Sequence, residues 1–333
     1  MRSKKNVQTV ELERGETLTQ TFDNYIDMAT SAVDWTLFCT YQLKPIYSEG
    51  LHRILQLPSM QIAYTKMTGG IMFDYASPEG TLTFSVISEM EGKACIEQMK
   101  LQSGMIAVVN DKKRYNFVHN GEIEIFDVSL NANADSILYK MFKEAVDCYY
   151  LDTDGTISTL LKKIIAHYGK QETLDESTSR TIEAQVTQTV RRVLETQEPQ
   201  TYRFPNSEKT AMEIKRYLFT HMDHTKSLSE LSREYDISER SLQNAFKSLF
   251  GITPNHFMRT LKLNLVHHEL TRSKPREISI QRSAQKWGFL HMGHFAKYYR
   301  ELFKQSPSDT LQKITEIEDG MKEHCVERKE EML

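Results

Sequence analysis

The spacing of apolar residues is of the β type over the first part of the chain, from about Thr17 to Leu130. Segments such as 81–87 and 122–128 alternate in part between apolar and polar residues, as strands with one buried face do. These segments are separated by residues that favour turns, namely Gly69-Gly70, Pro78-Glu79-Gly80, Asn110-Asp111 and Asn120-Gly121. Both positions of an Asn-Gly pair tolerate positive φ, so the last pair predicts a hairpin. The whole region is predicted to be a sandwich or a small barrel.

The apolar spacing becomes helical from about residue 134 to residue 196. The clearest stripe recurs every four residues and consists of Ile182, Val186, Val190 and Leu194. Such a stripe covers either its own domain or a partner chain, and we favour contact between two copies of the chain. The segment 197–207 contains two prolines and no periodicity, which predicts a linker between domains.

The two ends of the chain differ from the segments between them. Residues 1–15 are polar and residues 314–333 are mostly charged or polar, so both are expected to be loose. The sequence therefore predicts a first domain over 16–196, β-rich to about residue 132 and helical over 134–196. A second domain over 208–313 has only helical patterns, which makes the predicted fold class α+β.

Composition indicates a soluble globular protein. Hydrophobic residues make up 39% and charged residues 26% of the 333 residues, the usual balance for such proteins. No apolar stretch approaches the ~18–20 residues that span a bilayer, and the first residues lack the apolar run of a secretory signal. The four cysteines are scattered along the chain, which predicts unpaired thiols and a cytoplasmic location.

The charge is unevenly distributed between the two predicted domains. The chain as a whole carries a net charge of −3. Residues 208–313 hold 18 lysines and arginines against 11 acidic residues, a net charge of +7, while the remainder holds 24 against 34, or −10. A basic segment on an acidic protein indicates a polyanionic partner at that segment.

An internal repeat lies within the basic segment, over 227–254 and 279–307. Leu228, Ser232, Tyr235 and Ile237 match Ile280, Ala284, Trp287 and Phe289 at an offset of 52, and Leu242, Phe246, Lys247, Phe250 and Pro254 match Phe295, Tyr299, Arg300, Phe303 and Pro307 at an offset of 53. Each copy predicts a helix, a tight turn and a second helix. We expect Ser238 to cap a helix over 239–249 and the second copy to place its helix over 291–303. The repeated aromatic residues are assigned to the core.

A single helix is predicted between the two copies, from Pro254 to about Thr271. Leu263, Val266 and Leu270 would line one face, and Phe257, Leu261 and Leu265 another. A helix of about 18 residues is roughly 27 Å long. It could therefore hold two recognition helices near one turn of DNA apart, about 34 Å.

The two-copy spacing, the Trp287-Gly288-Phe289 element and the paired endings F-K…F…T-P and Y-R…F…S-P resemble the AraC family of transcription regulators, over about residues 208–313. The stretch WGFLHMGHFAKYYRELF more closely resembles the ethanolamine-utilisation regulator branch. The resemblance implies an N-terminal cupin-like sensor and dimerisation domain. It also implies a sequence-specific activator without cofactor or catalysis, whose partners are double-stranded DNA, a small-molecule effector and RNA polymerase. A homodimer would form through the helices over 134–196.

The resemblance assigns base reading to three positions of the first copy, Arg240, Gln243 and Asn244. Arginine pairs with guanine, and glutamine or asparagine with adenine. Lys247 and Ser238 are assigned to phosphate contacts. The complete set of predicted DNA contacts is Ser238, Arg240, Ser241, Gln243, Asn244, Lys247, His291, Met292, His294, Lys297 and Arg300.

The second copy has fewer side chains that could read bases. Gly293 costs helix stability, roughly 1 kcal/mol relative to alanine, and Leu290 stands where a capping hydroxyl is usual in the family. Met292 and Ala296 could touch only thymine methyl groups or sugars. This copy is therefore expected to contribute affinity and shape reading more than hydrogen-bonded base reading.

The first domain has a less distinct pattern. Trp35, Arg53, Tyr64, Phe73 and Tyr75 are predicted to line an effector pocket, with a mostly apolar wall. The early histidines form no HxH cluster with a nearby carboxylate, so no metal site is expected. Two alternatives stay open: a cupin-type enzyme joined to a DNA-binding module, and a regulator without a small-molecule effector.

Overall fold

The computed structural model describes residues 12–22, 35–45, 50–132, 136–221, 226–272 and 278–315. These residues fall into two compact units, one built mainly from the chain before residue 210 and the other mainly from the chain after it. The first is dominated by a β-sheet and the second by helices, so the predicted α+β class is confirmed. Most of the predicted loose N-terminus and almost all of the predicted charged tail lie outside the described residues.

Nine strands within the described residues form one sheet. They are β1 (Thr17–Phe22), β2 (Thr36–Lys44), β3 (Gly50–Gln56), β4 (Met60–Ala76), β5 (Thr81–Ile96), β6 (Met99–Lys100), β7 (Met105–Asn110), β8 (Tyr115–Asn131) and β9 (Tyr149–Leu151). The order is β1-β3-β4-β8-β5-β7-β9, with β2 on β4 and β6 on β5. Long antiparallel pairings join β8 to both β4 and β5, which makes β8 the central strand of the unit.

Three glycines lie side by side where the three longest strands meet. Gly121 of β8 is paired with Gly69 of β4 and with Gly92 of β5. Their φ angles are +142°, +110° and +102°, a region that favours glycine. A Cβ atom on Gly121 would lie 1.9 Å from the carbonyl oxygen of Glu91. The backbones therefore approach each other as closely as they do only because side chains are absent here.

Two of the four predicted turns are wrong, because their glycines lie within paired strands. Gly69-Gly70 and Asn120-Gly121 lie inside β4 and β8, where their conformational freedom serves a local departure from strand geometry rather than a chain reversal. The other two predictions are confirmed. The chain turns at Pro78-Glu79-Gly80 between β4 and β5, and after Asn110 at the end of β7.

Helices α1 (Ile137–Phe142), α2 (Thr156–Tyr168) and α3 (Glu176–Leu194) pack on one face of the sheet. The α3 stripe of Ile182, Val186, Val190 and Leu194 is at most 1% exposed, in one core with strand residues such as Phe84 and Phe126. The stripe thus covers the protein's own sheet, and placing the contact between two copies on it was wrong. An apolar sheet face needs a cover, and this helix supplies it.

The predicted linker is partly anchored to the sheet. Gln200 and Tyr149 exchange two backbone hydrogen bonds of 2.9 Å, which extends the edge at β9. The side chain of Gln197 donates to the carbonyl of Leu151 at 3.0 Å. The segment therefore begins as part of the first unit.

Six further helices follow within the ranges that the structure describes. They are α4 (Asn206–Thr220), α5 (Leu228–Glu234), α6 (Glu239–Phe250), α7 (Pro254–Arg272), α8 (Ile280–Lys286) and α9 (Met292–Phe303). The predicted connecting helix corresponds to α7. Its first predicted face, Leu263, Val266 and Leu270, is buried with residues of α8 and α9. On its second face, Phe257 and Leu261 are buried, whereas Leu265 is half-buried.

Candidate nucleic-acid interface and ligand cavity

The two sequence repeats have the same backbone arrangement, α5-turn-α6 and α8-turn-α9. A serine precedes the first helix of each copy and caps it. Ser227 forms a reciprocal capping box with Glu230, and Ser279 accepts from the backbone N–H of residue 282. Each turn then passes through one residue with positive φ, Asp236 at +47° and Gly288 at +86°. The same local signals therefore start both copies and bend both.

Each turn is closed by the same hydrogen bond. The N–H of Ile237 donates to the carbonyl of Ser232 at 3.0 Å, and that of Phe289 to the carbonyl of Ala284 at 2.9 Å. Ser232 and Ala284 are buried, as their small size predicted. Small side chains let two crossing helices approach closely, which fixes the angle of each second helix.

The core of the second copy is built on α7. It contains Leu263, Val266, Leu270, Ala284, Phe295, Tyr299 and Leu302. Within it the Tyr299 hydroxyl lies 2.5 Å from Nδ1 of His267 and 3.0 Å from the hydroxyl of Thr310. Burial lowers the pKa of His267 to about 3, so the ring is neutral at pH 7. The buried polar atoms thus hold one another, and α9 is fixed against the connecting helix.

The outer face of α6 carries the predicted contacts of the first copy. Arg240, Asn244 and Lys247 are exposed, and Gln243 is half-buried. Over the residues that the structure describes, no carboxylate lies within ion-pair distance of Arg240 or Lys247. Ser238 caps the helix as predicted, since its hydroxyl accepts from the N–H of Ser241 at 3.1 Å. Its hydroxyl is therefore already engaged, whereas the two cations are available to a partner.

The outer face of α9 is less uniform. His291, His294, Lys297 and Arg300 are exposed. Lys297 lies 3.9 Å from Glu301, a loose ion pair on the same helix. Met292 is half-buried and packs against the core of this copy. Its side chain is therefore only partly available to a partner, and its role as a DNA contact stays a prediction.

A basic residue that sequence patterns did not single out lies beside α9. The guanidinium carbon of Arg259, on α7, is 4.2 Å from the ring centroid of Tyr298. This cation–π contact crosses between two helices. No sequence motif marks it, because only packing brings positions 259 and 298 together.

A cavity of about 90 Å³ lies within the first unit. Its wall is aromatic and aliphatic, with a polar side, and is formed by Trp35, Leu37, His52, Thr65, Met67, Phe73, Tyr75, Ser85, Ile96, Phe117, Ile125 and Asp127. Trp35, Phe73 and Tyr75 were predicted for a pocket and lie on this wall. An apolar wall with few placed polar groups is the usual form of a small-molecule site.

Arg53 and Tyr64 were predicted for the same pocket but do not line it. Successive side chains of a strand point to opposite faces. His52 and Thr65 face the cavity, so their neighbours Arg53 and Tyr64 face away from it. The Tyr64 hydroxyl instead donates to Glu124 at 3.1 Å, and its ring packs on Phe126.

The polar side of the cavity consists of two hydrogen-bonded pairs. The Ser85 hydroxyl donates to Oδ1 of Asp127 at 2.5 Å, and Nδ1 of His52 lies 2.8 Å from the Thr65 hydroxyl. Burial raises the pKa of Asp127 to about 6 and lowers that of His52 to about 4. None of these four residues was predicted from the sequence to line the pocket. The signal that could have identified them is a polar residue at an inward-facing position of an otherwise apolar strand.

Two other kinds of site were sought over the described ranges. No group of three histidine, cysteine, aspartate or glutamate side chains there is placed to share a metal ion. None of the helices in those ranges is long and apolar enough to cross a membrane.

The second unit is similar to known proteins. Residues 231–313 match a family described as a helix-turn-helix domain. Over 98 residues, 29% of this chain, it is 33% identical to the "Probable thc operon regulatory protein" of Rhodococcus erythropolis and 35% identical to the "XylDLEGF operon transcriptional activator" of Pseudomonas putida. This chain covers about 30% of the length of each of these relatives.

A solved structure is also similar to part of this chain. It is a probable AraC family transcriptional regulator from Rhodopseudomonas palustris CGA009, 26% identical over 32% of this chain and 97% of that one, with a TM-score of 0.30. The family match falls on the segment that carries the structural repeat. Residues 231–313 of this chain thus belong to the helix-turn-helix family that they match, and the structure shows two helix-turn-helix copies in tandem in this part of the chain.

Proposed function

We propose that this protein is a sequence-specific DNA-binding transcription regulator whose helices α6 and α9 enter adjacent major grooves. The observation that carries the proposal is the repeated geometry of two helix-turn-helix copies joined by α7. At 19 residues, α7 is roughly 28 Å long. That length suits two recognition helices about one turn of duplex apart on one side of the DNA.

The proposed roles of the residues differ between the two helices. On α6, Arg240, Gln243 and Asn244 read base edges, while Lys247 holds phosphate. Ser238 and Ser241 are hydrogen-bonded to each other at the start of the helix. They would therefore contact the DNA backbone at most. On α9, the contacts come from the exposed side chains His291, His294, Lys297 and Arg300, with Met292 limited to an apolar touch. The second helix would thus contribute affinity and positioning more than base selection.

Selection of binding sites from random DNA by the full-length protein tests the tandem arrangement. We expect one strongly enriched element, read by α6, and a second, more weakly selected element about one helical turn away, since α9 contributes more to affinity than to base selection. A single element would show that α9 reads mainly the DNA backbone. Failure to enrich any sequence, even at low salt, would contradict the regulator proposal.

Replacing Arg240 with alanine should weaken binding to the selected site by about 1–3 kcal/mol and relax the preference at one base pair. The side chain is exposed and is one of those assigned to base edges. Lys247→Ala is the matched control. It should weaken binding to all sequences alike. It should also reduce the slope of the logarithm of the binding constant against the logarithm of the salt concentration by about one. Competition binding at several salt concentrations separates the two, and an unchanged site preference in Arg240→Ala would remove this residue from the readout.

The regulatory side of the proposal concerns the whole chain. The protein would act as an activator in the cytoplasm, meeting RNA polymerase at its promoters, with a small molecule in the cavity as its effector. The named relatives, an operon regulatory protein and an operon activator, support this direction. Effector binding would act by favouring one of two states of the protein, which requires different affinity for each.

Homodimerisation through α1–α3 belongs to the same proposal, on a surface other than the buried stripe of α3. The outer side offers Ile137, which is 51% exposed, near Arg180 and Thr187 of α3. Light scattering of the purified protein over a range of concentrations would establish whether two copies associate.

A further inference from the structure

The carboxyl group of Asp127 has no cationic partner among the described residues. It lies on β8, in register with Ala63 of β4 and Ser85 of β5, and its side chain borders the cavity. Its hydrogen bond within the protein is that from the Ser85 hydroxyl. No lysine or arginine of the described residues lines the cavity, and the one basic ring on its wall, His52, is neutral at pH 7 because burial lowers its pKa to about 4.

Burial raises the pKa of this carboxyl group only to about 6, and a cation bound beside it would favour its ionised form further. A carboxylate removed from bulk water is unfavourable unless a cation or several hydrogen bonds compensate it. Among the residues that the structure describes, the Ser85 hydroxyl supplies one such bond. Within the described residues its charge is thus only partly compensated, and a ligand that carries a positive charge would compensate it.

The aromatic part of the wall favours the same charge. Trp35, Phe73, Tyr75 and Phe117 form a continuous aromatic group, with ring centroids 5.5 Å apart for Trp35–Tyr75, 5.8 Å for Phe73–Tyr75 and 5.0 Å for Phe73–Phe117. Aromatic faces carry partial negative charge and attract ammonium groups. An anionic ligand would be repelled both by these faces and by the carboxylate.

The size of the cavity limits the ligand further. A dry cavity of about 150 Å³ can hold benzene, and this one measures about 90 Å³. It is therefore too small to enclose a sugar ring or a whole choline molecule, but it is partly open, so an ammonium head group can enter it while the rest of the ligand lies outside. The same limit disfavours long acyl chains.

We propose that the cavity binds a compact organic cation, with its ammonium group between the carboxylate of Asp127 and the aromatic side chains of Trp35, Phe73, Tyr75 and Phe117. That such a cation also acts as the effector rests on the function proposed above. The binding site itself follows from the cavity alone.

Binding should also depend on pH. The titratable groups that face Asp127 are His52 on β3 and Tyr75 on β4. Both are neutral near pH 7, because burial lowers the pKa of the first and raises that of the second. Protonation of Asp127 therefore governs the site. Affinity for a cation should be constant above its pKa of about 6 and fall about tenfold per pH unit below it.

Isothermal titration calorimetry on the full-length protein tests the proposal with three probes of nearly the same shape. Choline carries a positive charge, 3,3-dimethylbutan-1-ol is its neutral isostere, and 3,3-dimethylbutanoate is the anionic counterpart. We expect choline to bind at least tenfold more tightly than the alcohol at pH 7.5, and the anion not to bind. Asp127→Asn should abolish the preference for choline, whereas Asp154→Asn, which changes an exposed loop aspartate, should retain it.

Circular dichroism and thermal melting of Asp127→Asn test its fold, which we expect to be intact because an amide keeps the shape of the carboxyl group. Equal affinity for choline and the alcohol, an unchanged preference in Asp127→Asn, or no binding of choline would overturn the cation site. The regulatory role is read separately, from DNA affinity with and without choline. If choline binds through Asp127 and DNA affinity is unaltered, the cation site stands and the effector function fails.

Discussion

Replacing Gly121 with alanine should lower the free energy of unfolding of the first unit by roughly 2–6 kcal/mol. About 1–3 kcal/mol comes from forcing a side chain into positive φ, and a similar amount from overlap. The new Cβ atom would stand 1.9 Å from the carbonyl oxygen of Glu91. Since that oxygen belongs to the central pairing of β5 with β8, relief of the overlap must disturb the ladder on which the cavity depends.

Gly80→Ala is the matched control for this prediction. Gly80 also has positive φ, at +73°, but none of the described atoms lies within 4 Å of the place that its new methyl group would occupy, so only the conformational cost of about 1–2 kcal/mol is expected. The chain has two tryptophans, Trp35 in the first unit and Trp287 in the second. Urea unfolding in a Trp287→Phe background, followed by fluorescence, therefore reports on the first unit. Equal losses in the two variants would mean that close backbone approach plays no part at Gly121.

Replacing Phe295 with alanine should destabilise the second helix-turn-helix copy by about 3–5 kcal/mol, the usual cost of removing a buried aromatic ring. Phe295 is fully buried in the core of this copy and contacts Phe289 and Tyr299 at centroid distances of 5.2 and 5.6 Å. The loss would release α9 from α7. Site selection by this variant should then keep the element read by α6 and lose the second.

Leu290→Ala is the control, because Leu290 is a large apolar residue of the same turn but is 79% exposed. Its replacement should change stability by no more than about 0.5 kcal/mol. Fluorescence of Trp287 in a Trp35→Phe background follows this unit. Similar effects of the two substitutions, or retention of both DNA elements by Phe295→Ala, would contradict the assignment of Phe295 to a core that positions the helix.

The helical repeat could be predicted in detail because its signals are local. The capping serine at position 238, the small residues at turn contacts and the recurrence of apolar positions all act within a few residues of chain. The predicted helix from Pro254 to about Thr271 differs from α7 by one residue at its end. The resemblance to the AraC family rests on these same positions, and the match over 231–313 agrees with it.

Turn prediction failed in the sheet, where the same local signals have two outcomes. Asn120-Gly121 permits positive φ, and this is found at Gly121. Whether the chain then reverses depends on what it pairs with, and here β8 continues between β4 and β5. The stripe on α3 shows the same limit. Its helical spacing was evident, but only the sheet beneath it decides that it is covered by its own chain.

The sequence by itself thus determined the helices of the second unit, their repeat and the residues they expose, since these depend on contacts between near neighbours in the chain. The tertiary structure decided the cavity. A register shift between Ile87 and Glu89 changes the alternation along β5, and Asp127 meets Ser85 only because strands 42 residues apart are paired. The alternation along a strand shows which residues share a face, but only the pairing of strands determines what that face encloses.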